Sequence, residues 1–128
     1  MHIPDKISKW IRAKNWTLHE HQIRMFKSSE CSSQLLIAPT GSGKTLAGFL
    51  PTIADLYLNP SQKLHTLYIS PLKALASDIK RNLETPIEEL ELKISVEDRT
   101  GDTQQSIKKK QRVIPPNILL TTPESLAL

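Results

Sequence analysis

The stretch Ala38-Pro39-Thr40-Gly41-Ser42-Gly43-Lys44-Thr45 collects the residue types that a phosphate chain asks for. Gly41 and Gly43 let successive backbone N–H groups turn inward into a concave anion site, which a Cβ would obstruct. A helix opening at Lys44 adds the partial positive charge of its N-terminus. Lys44 then reaches the β- and γ-phosphates of a nucleotide, and the Thr45 hydroxyl serves as a ligand to Mg²⁺. The spacing departs from G-x-x-x-x-G-K-[ST] at its first position, where Ala38 stands. A chance Gly/Ser/Thr turn is the bland alternative; the apolar run before the loop and the helical pattern after it weigh against that. Kinases, GTPases, transporter ATPases and helicases all use such a loop, so other residues must decide among them.

Three further turns follow strand-like runs. Ser70-Pro71-Leu72-Lys73 leads into a helical stripe, where free backbone N–H groups can hold a nucleic-acid phosphate and Lys73 adds a cation. An ordinary strand–helix junction capped by Ser70 would carry the same letters. In Thr100-Gly101-Asp102-Thr103, Gly101 suits a tight turn and Thr103 a cap or a phosphate donor, whereas Asp102 is not expected to touch phosphate. In Thr121-Thr122-Pro123-Glu124, Thr122 caps a helix, Pro123 takes its first position and Glu124 favours the first turn. Phosphate binding by Thr121 or Thr122 would be an addition to that cap. Upstream, the Gln22 amide offers a donor and an acceptor, which suits the N6 and N7 edge of adenine.

In this order and company the motifs resemble those of superfamily 2 helicases, specifically the large helicase-related (Lhr-like) group and its ligase-associated DEXH-box branch. The resemblance runs from about Trp16 to Leu128. Trp16, Leu18 and Gln22 look like the family's adenine-reading element, with the aromatic beside the base or in the core. Ser70 to Asp78 resembles helicase motif Ia almost letter for letter. The resemblance implies that Ser70, Pro71, Lys73, Gly101, Thr103, Thr121 and Thr122 track the backbone of one strand. It also implies an ATP- and Mg²⁺-dependent motor on single-stranded DNA or a DNA/RNA hybrid, with 3′ to 5′ travel, a role in DNA repair and partners such as a ligase or nuclease.

The elements that must position these turns alternate. A helical segment over residues 1–30 breaks between Ile11 and Leu18, and Thr17 with Glu20 has capping-box spacing for its second helix. Leu35-Leu36-Ile37-Ala38 reads as a short core strand, followed after the loop by a helix from about Lys44 to Leu58. Leu64 to Ser70 is a second strand. Leu72, Leu75, Ala76, Ile79 and Leu83 form an amphipathic helical stripe, which Pro86 should end or kink. Leu92 to Val96 alternates as a third strand, Gln104 to Arg112 is a polar helix, and Pro115-Pro116-Asn117 hands over to the strand Ile118-Leu119-Leu120. Alternating strands and helices imply an α/β fold with a mostly parallel sheet. Residues 31–128 are thus expected to form the first part of a RecA-like P-loop domain, whose ligands lie at the carboxyl ends of strands.

Bulk properties agree without deciding. The 128 residues carry a net charge of +4, a mild lean toward polyanions. Neither a long apolar run nor a leader pattern appears, and the lone Cys31 excludes an internal disulfide framework and suits a reducing cytoplasm, near the nucleoid. His19 and His21, two apart on a helix, do not share a metal-binding face. Lys108-Lys109-Lys110 with Arg112 reads as a solvated face. Stopping at Leu128, inside a helix start, the chain reads as a fragment. It lacks the Asp-Glu pair that would orient water, so hydrolysis is expected of the intact protein. Two rival readings stay open: a nucleic-acid-stimulated ATPase that remodels without unwinding, and a P-loop kinase or GTPase.

Overall fold

The computed structural model describes residues 2–28, 33–39 and 44–127. Cys31 and the loop centre Thr40, Gly41, Ser42 and Gly43 lie outside the described residues. The chain forms two compact units, Met1–Leu58 and Asn59–Leu128.

The first unit is helical: α1 (Asp5–Ala13), α2 (Glu20–Ser28) and α3 (Lys44–Leu58). Each helix buries residues at helical spacing: Ile7 and Ile11 on α1, Gln22 and Phe26 on α2. On α3, Ala47, Phe49, Leu50, Ile53, Ala54 and Leu56 are buried, and α2 packs against this helix. Burial of a side chain such as Phe26 or Leu50 stabilises by about 1.5–3 kcal/mol. Asn15, with φ 57°, ends α1 in a left-handed turn. There the Trp16 N–H bonds to the Ile11 carbonyl at 3.1 Å and the Asn15 N–H to the Arg12 carbonyl at 2.9 Å, the Schellman arrangement.

Two expectations fail in this unit. The run Leu35 to Ala38 is not a strand: residues 33–39 have no regular secondary structure, and Leu35 and Ile37 are 85% and 84% exposed. A strand is held by a neighbour, and the described residues of this unit provide none. The capping box also moves. Helix α2 starts at Glu20, not Leu18, and the box is closed by Gln22, whose Oε1 accepts from the His19 N–H at 2.7 Å. Trp16 is tied back to α1 through Ile11 and by an edge contact with Trp10, 5.3 Å between ring centroids. Thr17 and Leu18 are therefore spent crossing to α2.

The second unit alternates as β1 (Thr66–Ile69), α4 (Lys73–Glu89), β2 (Val96–Arg99), α5 (Gln105–Val113), β3 (Ile118–Thr121) and α6 (Pro123–Ala127). The three strands form a parallel sheet in the order β1-β3-β2. The central strand β3 carries Ile118 and Leu120 at zero exposure on one face, and Thr121 at 1% on the other. Helix α4 packs on β2 and β3.

Here too the pattern needed correction. Pro86 does not end the stripe: α4 runs on to Glu89, with the Leu90 N–H on the Pro86 carbonyl at 2.9 Å. Proline forfeits one helical hydrogen bond, but Pro86 is itself buried with Ile79, Leu83 and Ile87. That packing outweighs the loss. Leu92, Ile94 and Val96 do alternate toward the interior, yet ladder pairing begins only at Val96 and runs to Arg99. No helix among the described residues is long and apolar enough to cross a membrane.

Candidate functional site

At the nucleotide-loop end, Lys44 and Thr45 are the first two residues of α3 and both are exposed. The Lys44 ammonium reaches back and donates to the Ala38 carbonyl at 2.6 Å. Ala38 is half-buried and Pro39 exposed. The two flanks of the loop therefore approach each other, with the lysine as the link. A magnesium ion would find the Thr45 hydroxyl here. Among the described residues no group of three or more His, Cys, Asp or Glu could hold a metal alone.

Gln22 is buried, 4% exposed, at the third position of α2. Its Oε1 is already engaged by the His19 N–H. Trp16 is half exposed. The His19 and His21 rings stack with centroids 5.5 Å apart.

In the second unit, sheet register does the positioning. Thr66, Val96 and Ile118 lie level at one end, and Ile69, Arg99 and Thr121 at the other. All three strands therefore stop flush, and the turns that follow them emerge side by side at the carboxyl edge. Hydrogen bonds lock this edge: the Ser70 N–H donates to the Thr121 carbonyl at 2.9 Å, and the Thr121 hydroxyl to the Arg99 carbonyl at 2.6 Å.

Not every residue singled out from sequence offers its side chain to that edge. Ser70, Thr121 and Thr122 are buried, at 0%, 1% and 0% exposure. The Ser70 hydroxyl bonds within its own turn, to the Leu72 carbonyl at 3.2 Å, and Thr122 Oγ1 lies 3.0 Å from Ser125 Oγ. Pro71, Lys73 and Gly101 are exposed. Thr103 Oγ1 accepts from the Thr100 N–H at 2.9 Å, closing the Gly101 turn. Lys73 opens α4 and reaches Asp102, with Nζ to Oδ1 at 3.4 Å. The first turn of α6 holds the exposed Glu124 carboxyl below the usual carboxylate range, through its own backbone N–H, then Thr122, with nearby Lys73 adding attraction.

Asn117 was read only as part of a turn, and it proves to be the fastener of the opposite edge. Buried at 4% exposure, its Oδ1 accepts from the Ser95 N–H at 3.0 Å. Its Nδ2 donates to the carbonyls of Ser61 and Lys63, at 2.7 and 3.0 Å, and its own carbonyl accepts from the N–H groups of His65 and Thr66. The available signal was an amide residue placed directly before a buried-type strand.

A family model for the DEAD/DEAH box helicases matches residues 19–128. The chain belongs to that family. Among curated relatives of this helicase chain, the ATP-dependent helicase Lhr-Core protein 2 of Thermococcus barophilus is 38% identical over 98% of the chain. The Lhr helicase/probable uracil glycosylase of Mycolicibacterium smegmatis is 47% identical over 78% of it. The chain spans 16% and 8% of the lengths of those two proteins. Among solved structures, the Mycobacterium smegmatis helicase Lhr bound to ssDNA and AMP-PNP superposes with a TM-score of 0.84 at 39% identity, over 97% of this chain and 17% of that one. The helicase MrfA bound to DNA and AMPPNP gives 0.86 at 31% identity, over 97% of this chain and 17% of that one. The helicase chain is thus Lhr-like, and its sheet is that of a RecA-like domain.

Proposed function

We propose that this chain forms the phosphate-binding and strand-contacting part of an ATP-dependent DNA motor, with residues 1–30 as the adenine-reading segment and 31–128 as the first part of the RecA-like domain. The observation that carries the reading is the flush carboxyl edge, where the turns at 70–73, 100–103 and 121–123 emerge together. Relatives solved with DNA and a nucleotide analogue support it.

Bound Mg·ATP supplies an activated phosphoryl bond whose hydrolysis drives movement. Lys44 would leave the Ala38 carbonyl to neutralise the phosphates, which the residues from Ala38 to Gly43 and the α3 N-terminus would hold; Thr45 would hold the metal, and Gln22 would read adenine. Along the strand edge the Ser70, Thr121 and Thr122 hydroxyls are committed internally. Phosphates are therefore met by backbone N–H groups of these turns and by Lys73. Duplex separation, with a ligase or nuclease acting on the same DNA in the cytoplasm, follows from the family resemblance.

The test uses the protein translated from the whole reading frame. Lys44→Ala removes the side-chain cation aimed at the phosphates, so ATP turnover should fall by about two orders of magnitude or more with the fold retained by circular dichroism. Retention of more than about half the turnover would sink the loop assignment. Strand-stimulated turnover without strand displacement in the wild type would make the protein a remodeller instead.

A further inference from the structure

Resting on the strand-contact reading of Lys73, we propose that Asp102 is an internal stand-in for the strand phosphate. Its carboxylate holds the Lys73 ammonium while no strand is bound, and it is displaced when a phosphate arrives.

The turn itself does not need this carboxylate. It is closed by the Thr103 N–H on the Thr100 carbonyl at 3.1 Å, by the Thr100 N–H on Thr103 Oγ1, and by the Asp102 backbone N–H on Thr100 Oγ1 at 3.2 Å. Asp102 serves there through its main chain only. Its side chain points instead to Lys73 Nζ. The lysine lies over Gly101, where a Cβ would sit 3.3 Å from Nζ and 3.6 Å from Cε. Glycine at this position lets the ammonium come down onto the turn rather than stand out in water.

Geometry also separates a displaceable partner from a fixed one. A carboxylate that positions a lysine for good would be buried and close. This pair is 3.4 Å apart with side chains 50% and 81% exposed, the range in which ion pairs are weak and water competes. A strand phosphate offers the same ammonium a comparable anion together with the neighbouring backbone N–H groups. Displacing Asp102 thus costs what a weak ion pair is worth, and no more. Strand affinity is held down, and release is made easier.

The experiment measures binding of labelled oligothymidylate to the full-length protein by fluorescence anisotropy across a salt series, for wild type, Asp102→Asn, Lys73→Ala and the double variant. Asp102→Asn should tighten binding roughly two- to tenfold at low salt, and the gain should fade as salt rises. Lys73→Ala should weaken binding and flatten the log–log salt slope by about 0.7. In the Lys73→Ala background the Asp102→Asn gain should fall to less than half. Weaker or unchanged binding in Asp102→Asn, beside a weakened Lys73→Ala, overturns the stand-in and leaves the strand contact. A gain of equal size in both backgrounds overturns it too, as simple repulsion. Unchanged affinity and slope in Lys73→Ala overturn the strand-contact reading, and the stand-in with it.

Discussion

Gln22 caps α2 and is proposed to read adenine, two duties that a substitution can separate. As the third residue of α2, it accepts from the His19 N–H and satisfies a donor that the helix leaves open. An acceptor oxygen is all that this duty needs, so Gln22→Glu should keep the cap, whose outright loss in Gln22→Ala should cost about 1 kcal/mol. Reading adenine also needs the amide donor. ATP affinity should therefore drop about tenfold in both variants, as a lost hydrogen bond of roughly 1.4 kcal/mol implies. Urea unfolding and nucleotide competition check the two halves. If Gln22→Glu binds ATP as wild type does, the residue is a cap alone. At this scale the place of Lys44 and Thr45 at the start of α3 was legible, because a G-x-G-K-T run opens a helix. The cap was not: Thr17 with Glu20 has the usual box spacing, and the tether of Trp16 to α1 moves the start of α2 past it.

Elements were legible where burial and period agree. The span of α3 matches its sequence pattern end to end, because its apolar residues recur at helical spacing and are buried. They were less legible where a local rule meets tertiary packing. Pro86 argues for a stop on backbone grounds and is overruled because its ring is part of the buried stripe. The alternation over Leu92 to Val96 reports which side faces inward, whereas the ladder is set by partners that alternation does not show. Asn117 is the strongest case, since it aligns the beginnings of all three strands. Asn117→Ala should lower unfolding free energy by about 3 kcal/mol, through the hydrogen bonds lost to Ser95, Ser61 and Lys63 at about 1 kcal/mol each. Asn117→Asp keeps the acceptor but sets a carboxylate against two carbonyls, so it should cost at least as much. A loss under about 1 kcal/mol in either variant, by urea denaturation, would show that the fastener is dispensable.

For the molecule as a whole, parallel order was the expectation that the alternation of strands and helices carried best, and the sheet bears it out. Covering the sheet was the part that sequence could not show. Strand β1 stands at the border of the β1-β3-β2 order and points Leu67 and Ile69 outward, at 40% and 47% exposure. A border strand that exposes apolar side chains favours pairing with another copy. The 128-residue polypeptide handled alone should therefore cloud and precipitate on concentration or warming, faster than its net charge of +4 would suggest. Lys placed at both Leu67 and Ile69 should raise the solubility limit severalfold without loss of secondary structure, measured by turbidity and circular dichroism. Equal turbidity in the double variant would move the aggregation-prone surface elsewhere. The same four residues, Thr66 to Ile69, that align the proposed strand-binding edge at one end would then set how concentrated a solution of this polypeptide can be.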